Sequence, residues 1–237
     1  MSKRAVILAG GLGTRLRPFT YSLPKPLMPI GQTPILEIII LQLGKHGFSH
    51  ITLAVNHQAD IIKAYFGDGL KWNIKIDYSL EKGPLGTIAP LKLIKDLPEN
   101  FLLMNGDIFT DIHFGNFYEE HIKQKSSFSI SSKIRNQKID FGVLQTNENN
   151  DLIGFKEKPT SNYQVSMGIY MISKGIIELI PEGKPFGFDE LMHFLISIKE
   201  FPNVIPFNGY WLDIGRPDDY AEAIEKFAEN PKKFLDA

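Results

Sequence analysis

Residues 5–15 confine the fold more tightly than any other stretch. Ala5-Val6-Ile7-Leu8 is a short apolar run that passes without a break into Ala9-Gly10-Gly11-Leu12-Gly13-Thr14-Arg15. An apolar run of that length predicts a buried strand. Glycines at its end predict a loop whose main-chain N–H groups can approach phosphate oxygens with no Cβ in the way. Arg15 and Lys25 add fixed positive charge beside the loop, and Pro24 and Pro26 restrict the backbone on both sides of Lys25. Two familiar phosphate loops are excluded by the residues themselves. A Walker-type loop requires Gly-Lys-Ser/Thr where this chain has Gly13-Thr14-Arg15. A dinucleotide fingerprint must open a helix, whereas this loop runs on into Pro18 and a proline-rich stretch.

Downstream, apolar runs alternate with amphipathic ones. Ile35 to Lys45 predicts a helix, with Thr33 as N-cap, Pro34 at the first helical position and Gly47 as the stop. Ile51–Val55, Ile74–Tyr78 and Phe101–Met104 predict buried strands, and Ala59–Phe66 and Phe114–Gln124 predict helices. The alternation argues for a three-layer α/β domain with a mostly parallel sheet, whose strand C-termini and glycine loop share one edge, where ligands bind. Later, Phe128–Ser132 and Ser166–Ile172 predict strands, and residues 140–144 and 152–155 flank the polar turn Glu148-Asn149-Asn150-Asp151 as a hairpin. Asp189–Ser197 and Tyr220–Ala228 predict helices, the second opened by Pro217-Asp218-Asp219, and Val204–Phe207 predicts a strand.

Between these elements lie residues whose chemistry has a structural and a functional reading. In Glu81-Lys82-Gly83-Pro84-Leu85-Gly86-Thr87, Pro84 and Gly86 shape a turn and Thr87 can cap the helix that follows. Asn105-Gly106-Asp107 ends the Phe101–Met104 strand, which puts a carboxylate at the ligand edge, well placed for Mg2+; an Asx turn is the structural alternative, and Asp111 is a nearby decoy. Glu157-Lys158 reads as solvated charge at a hairpin end. His46 and His50 have helical metal-ligand spacing, but Gly47 intervenes, so they read as surface residues. Glu190 and His193 lack the second pair that a di-iron helix site requires.

Composition narrows the partners. The 237 residues are 43% hydrophobic, enough for a sizeable core, and a net charge of -1 exerts no general pull on nucleic acid or anionic membrane. With no cysteine, a disulfide framework and a thiolate metal site are both out of reach. The apolar run after Met1-Ser2-Lys3-Arg4 ends at Leu8, too short for a signal-peptide core, and no run is long enough for a membrane span; a cytoplasmic protein is the expectation.

The string GGLGTRLRPFT followed by PKPL closely resembles the signature of the sugar-1-phosphate nucleotidyltransferases, or NDP-sugar pyrophosphorylases. The resemblance runs from Ala5 to about Phe227 through five motifs in family order, and PLGT is similar to guanylyltransferases of the GDP-mannose type. It implies a three-layer Rossmann-like α/β fold in one nucleotidyltransferase domain: a nucleotide-binding half to about residue 112, an antiparallel sugar-binding part after it, and no C-terminal β-helix. It implies an NTP, expected to be GTP, and a sugar 1-phosphate as partners, with Mg2+ as cofactor, no nucleic acid and no membrane; a homo-oligomer is compatible. Uridylyl or thymidylyl transfer to glucose 1-phosphate, guanylyl transfer to a heptose or amino sugar, and a non-catalytic NDP-sugar-binding subunit are the alternatives. By the same resemblance Leu8, Ala9, Gly10, Gly11, Gly13, Thr14, Glu81, Pro84, Gly86 and Thr87 would contact the nucleotide. Arg15 and Lys25 would hold phosphates, Asp107 and Asp213 (from W-x-D-x-G) would bind Mg2+, and Gly142, Glu157, Lys158 and Ser166 would receive the sugar phosphate. The chain departs from the family in two places, with Ile88-Ala89 after PLGT where Ala-Gly is usual and Ser166-Met167 where Asn-Ala is common.

Overall fold

The computed structural model describes residues 3–235 apart from His57, Lys82 and Pro84. Among the described residues, thirteen strands and six α-helices follow one another in mixed order. They are β1 (Lys3–Leu8), β2 (Pro29–Ile30), β3 (Thr33–Pro34), α1 (Ile35–Lys45), β4 (Phe48–Val55), α2 (Ala59–Phe66), β5 (Lys75–Leu80), β6 (Asn100–Asn105) and β7 (Ile108–Thr110), then α3 (Phe114–Gln124), β8 (Phe128–Lys138), β9 (Val143–Thr146), β10 (Leu152–Lys156) and β11 (Thr160–Ser173). The last are α4 (Phe188–Ser197), β12 (Asn203–Pro206), β13 (Trp211–Asp213), α5 (Pro217–Glu229) and α6 (Pro231–Leu235). Seven strands form the central sheet in the order β12-β8-β11-β6-β1-β4-β5. Only β11 runs against its neighbours, so the sheet is mixed and mostly parallel.

Alternation along the strands builds three layers, because successive side chains point to opposite faces. Ala5 and Ile7, Leu102 and Met104, and Ile169 and Met171 face one buried cluster, completed by α1, α2, α3, α5 and α6. Val6, Phe101, Leu103, Tyr170 and Ile172 face the other, beneath α4 and the short 3-10 helix Ala89–Leu93. Among the described residues no helix is long and apolar enough to cross a membrane.

Several local expectations are corrected. Thr33 is not the N-cap of α1 and Pro34 is not its first helical residue: the two pair with Ile30 and Pro29, Pro34 takes the N-cap position with an extended ψ of 146°, and α1 starts at Ile35 without a side-chain cap. Thr87 caps a helix, but a distant one; its Oγ1 accepts from the N–H of Phe188, the first residue of α4, 2.9 Å away. His46 is not a surface residue. It is 8% exposed, its ring lies 3.9 Å from that of His113, and burial, then the charge of His113, pushes its pKa down to about 4. His50 is partly buried and hydrogen-bonds Asp77 at 2.6 Å. Strands β8 and β11 also run longer than expected, because the mostly polar residues 133–138 pair with 160–165 in a largely exposed ribbon with no sustained apolar alternation.

Candidate active site

Strands β1, β4, β5 and β6 run parallel and end on the same edge. Leu8 of β1 is central: its carbonyl accepts from Gly106 N at 2.9 Å, while Ala9 N donates to Ala54 O at 2.8 Å. The loops after β1, β4, β5 and β6 therefore open together into a cleft of about 310 Å³ lined by Leu8, Ala9, Gly10, Gly11, Lys25, Pro26, Asn56, Glu81, Leu85, Gly86, Thr87, Asn105, Gly106 and Asp107. Most of the residues assigned above to the nucleotide thus share one wall-to-wall space. Gly13, Thr14 and Arg15 stand beside it, and Pro84 lies outside the described residues.

The glycine loop is stiffened by three short 3-10 turns, Thr14–Leu16, Phe19–Tyr21 and Lys25–Leu27. Leu16 is fully buried and anchors the first, and Thr20 Oγ1 donates to Gly13 O at 2.7 Å. Leu27 N closes the third onto Pro24 O at 2.8 Å, which carries Lys25 inward until it is 8% exposed. There its ammonium pairs with Asp107 Oδ2.

Asp107 is brought to Asp213 by a second, smaller sheet. Strands β7 and β13 pair antiparallel with Asp213 opposite Ile108, and Ile214 N donates to Asp107 O at 3.1 Å. Residues 106 positions apart therefore become diagonal neighbours. Asp107 Oδ1 and Asp213 Oδ1 are both buried with no hydrogen-bond partner among the described residues. The Asp213 carboxyl titrates above the usual carboxylate range, first because burial disfavours its charge and then because Asp107 sits beside it; Lys25 and Arg15 act in the opposite direction. Arg15 is exposed and rests over Gly215, where a Cβ would lie 3.3 Å from Nη2. Two carboxylates and two cations, one cation buried and one exposed, thus meet beside the cleft. Glu81 also titrates upward, because burial outweighs its hydrogen bond with the Leu85 backbone.

A divalent cation suits this donor set. Two unpartnered carboxylate oxygens, hard and anionic, match the ligand preference of Mg2+, which binds through one or two carboxylates and completes its shell with water and substrate phosphate. Three or more His, Asp or Glu side chains gathered as a metal cluster do not occur among the described residues.

The remaining predicted residues lie apart from the cleft. Gly142 precedes β9, and a Cβ there would meet the Phe155 ring at 2.6 Å and Glu157 Oε2 at 3.3 Å, so Gly142 and Glu157 adjoin on the hairpin. Lys158 follows with φ 43°, exposed. Ser166 is not brought into the cleft: its Oγ accepts from Gly168 N at 3.3 Å and donates to Tyr170 Oη at 3.1 Å, and it lines a separate groove with Ile130, Met192 and Phe201. Asp111 binds Tyr210 N at 2.7 Å and Lys233 Nζ at 2.7 Å, away from the carboxylate pair. Glu190 caps α4 by accepting from Gly187 N at 2.6 Å.

Two cleft residues escaped the sequence reading. Asn56 directly follows β4, and its amide fills the space where a Gly10 Cβ would stand, 2.9 Å away. Asn105 ends β6, and its Nδ2 lies 2.8 Å from where a Cβ of Gly168 would be. The signal was present: the strand-end position that singled out Asp107 applies equally to both.

Comparison with known proteins agrees with this geometry. The nucleotidyl transferase family model matches residues 4–230. A D-glycero-alpha-D-manno-heptose 1-phosphate guanylyltransferase of Aneurinibacillus thermoaerophilus is 34% identical over 92% of this chain and 96% of its own length. A UTP-glucose-1-phosphate uridylyltransferase of Synechocystis sp. is 31% identical over 93% of this chain, which spans 62% of that relative's length. Among solved structures, HddC from Yersinia pseudotuberculosis has a TM-score of 0.73 at 30% identity, covering 95% of this chain and 99% of its own, and it has also been crystallised with GMP-PN. The glycine loop, the Asp107–Asp213 pair and these likenesses agree: the chain belongs to the nucleotidyl transferase family, among the sugar-1-phosphate nucleotidyltransferases.

Proposed function

We propose that the protein transfers a guanylyl group from GTP to a sugar 1-phosphate of the mannose type, a hexose, heptose or amino sugar, giving a GDP-sugar and pyrophosphate in a Mg2+-dependent reaction. The observation that carries this reading is the convergence of Asp107 and Asp213, each with a buried oxygen unpartnered among the described residues, beside Lys25 and Arg15 next to a glycine-lined cleft. The choice of guanine rests on the PLGT resemblance and on the guanylyltransferase relative that matches along 96% of its length.

A phosphate oxygen of the sugar 1-phosphate forms a bond to the α-phosphorus while the bond to the β-phosphate oxygen breaks, and pyrophosphate leaves. That oxygen is already ionised near neutral pH, so no side chain has to remove a proton. The barrier lies in bringing two polyanions together, and catalysis is positioning and charge neutralisation. Main-chain N–H groups of residues 9–13 cradle the triphosphate, with the base toward Glu81, Gly86 and Thr87. Lys25 faces the α-phosphate, Arg15 swings from Gly215 onto the departing pyrophosphate, and Lys158 and Glu157 receive the sugar phosphate and its hydroxyls. Asp107 and Asp213 would hold Mg2+, which when bound neutralises phosphate charge and orients the two reactants.

The test is pyrophosphate release from four NTPs against a panel of sugar 1-phosphates, with Mg2+ present and chelated. GTP with a manno-configured sugar 1-phosphate should turn over fastest, chelation should abolish release, and Asp107→Asn should cut turnover by at least ~100-fold while leaving the fold intact. Preference for UTP and glucose 1-phosphate would replace the substrate assignment. Undiminished release by Asp107→Asn at saturating metal would reject the site.

A further inference from the structure

The strand pair that carries the two carboxylates is very short. β7 and β13 share three residue pairs, Trp211 with Thr110, Leu212 with Phe109 and Asp213 with Ile108, in a sheet of their own. Two-stranded pairs of this size are marginal by themselves, and a slip of one residue would turn Asp213 to the opposite face. Something outside the pair must fix its register.

The end remote from the carboxylates is tied to α6. Phe234, 1% exposed, stacks on Phe109 of β7 at 4.1 Å and meets Tyr210, the residue before β13, edge-on at 5.6 Å. Beside it, Lys233 Nζ pairs with Asp111 Oδ2 at 2.7 Å. Asp111 Oδ1 accepts from Tyr210 N at 2.7 Å, and Asp111 N donates to Tyr210 O at 3.2 Å, so this carboxylate bridges the two strands just past their last pair. The Asp111 side chain is 10% exposed, and Lys233 is the cation that offsets its burial.

We propose that Lys233 and Phe234 are positioning residues for the metal carboxylates: α6 locks the far end of the β7–β13 pair, and the lock holds Asp213 in register with Asp107 at the near end. This rests on the reading of that pair as a divalent-cation site. Phe234 supplies area that only the correct register covers, and the ion pair with Lys233 holds the Asp111 carboxylate aimed across the strands. Supporting groups of this kind change metal affinity by ~10–100-fold when they ligate the metal's own ligands directly. From a distance of four residues a smaller change is expected.

The experiment is Mn2+ binding followed by electron paramagnetic resonance, in the presence of α,β-methylene GTP, on wild type, Lys233→Met, Lys233→Arg, Phe234→Leu and Asp213→Asn. Lys233→Met and Phe234→Leu should raise the Kd for Mn2+ by ~3–10-fold. Metal-free binding of the analogue should stay within about 2-fold of wild type, and Lys233→Arg should restore the Mn2+ affinity. Lower melting temperatures with Mn2+ affinity within about 2-fold of wild type in both variants would reduce α6 to packing and overturn the proposal. Should Phe234→Leu fail to fold, the half-exposed Lys233→Met still decides. Asp213→Asn separates the two levels of the argument: if it binds Mn2+ like wild type, the metal reading itself falls, whereas loss there with unchanged α6 variants refutes only the lock.

Discussion

Replacing Asp213 by asparagine should make the metal-free protein more stable and nearly inactive. The side chain keeps its shape but loses the charge that burial and Asp107 both disfavour. Its new N–H2 can also donate to Asp107 Oδ1, which has no partner among the described residues. In wild type the folded state holds the Asp213 proton to higher pH than the unfolded chain does. Stability contributed by this group is therefore full below the ordinary carboxylate pKa and is lost as pH rises through the elevated folded value. Asparagine removes that loss, so the gain appears at neutral pH and shrinks toward acid. Relieving such a functional strain is worth ~0.5–2 kcal/mol, and at this chain length each kcal/mol moves Tm by ~2–4 °C. Turnover should fall by at least ~100-fold, on the scale of losing a preorganised charge contact. Thermal melts of both proteins in chelator, stepped from about pH 7 to about pH 4, together with pyrophosphate release, measure both effects. A variant that melts below wild type at neutral pH, or a gain that does not diminish on acidification, would refute the picture of two crowded carboxylates.

Three further outcomes follow from the same geometry. Gly215→Ala places a Cβ 3.3 Å from the Arg15 guanidinium, the flexible end of an exposed side chain, so Arg15 should yield; kcat should drop ~10-fold with stability within ~0.5 kcal/mol of wild type, read from steady-state kinetics and urea unfolding. Gly86→Ala is the opposite case. Its φ is +83° and a Cβ would sit 2.9 Å from the Phe186 carbonyl oxygen, backbone that cannot move aside, so unfolding free energy should fall by ~1–3 kcal/mol. Lys25→Met leaves Asp107 beside Asp213 without the ammonium that it pairs with; a loss of ~2 kcal/mol, discounted for the partly exposed Asp107, should show in melts at neutral pH and recede on acidification.

Much of the architecture was legible because it rests on local signals. The passage from Val6-Ile7-Leu8 into glycines marked the ligand edge, and Phe114–Gln124 was bounded to the residue. Asp107 could be chosen over Asp111 by its place at a strand end, and the structure gives Asp111 the work of bridging two strands to Lys233. What stayed hidden depends on tertiary contact. Thr87 finds its helix 101 residues away, which no spacing rule reports. His46 is buried against His113 and Phe114 at the start of a helix far along the chain, a contact that the Gly47 interruption, from which a surface position was read, does not report. The pairing of Asp107 with Asp213 could be expected only from resemblance, because a three-residue strand such as Trp211-Leu212-Asp213 carries too little periodicity to announce its partner.

The hairpin β9–β10 forms a sheet of its own, hung between the ends of β8 and β11, and none of residues 139–159 belongs to either buried cluster. A segment joined to the body by a single ribbon can be lengthened, shortened or rewritten at little expense to folding. Inheritance can therefore tinker with whatever this arm touches while the strand-end machinery for nucleotide chemistry stays constant. About twenty surface positions can in that way be edited without disturbing either buried cluster.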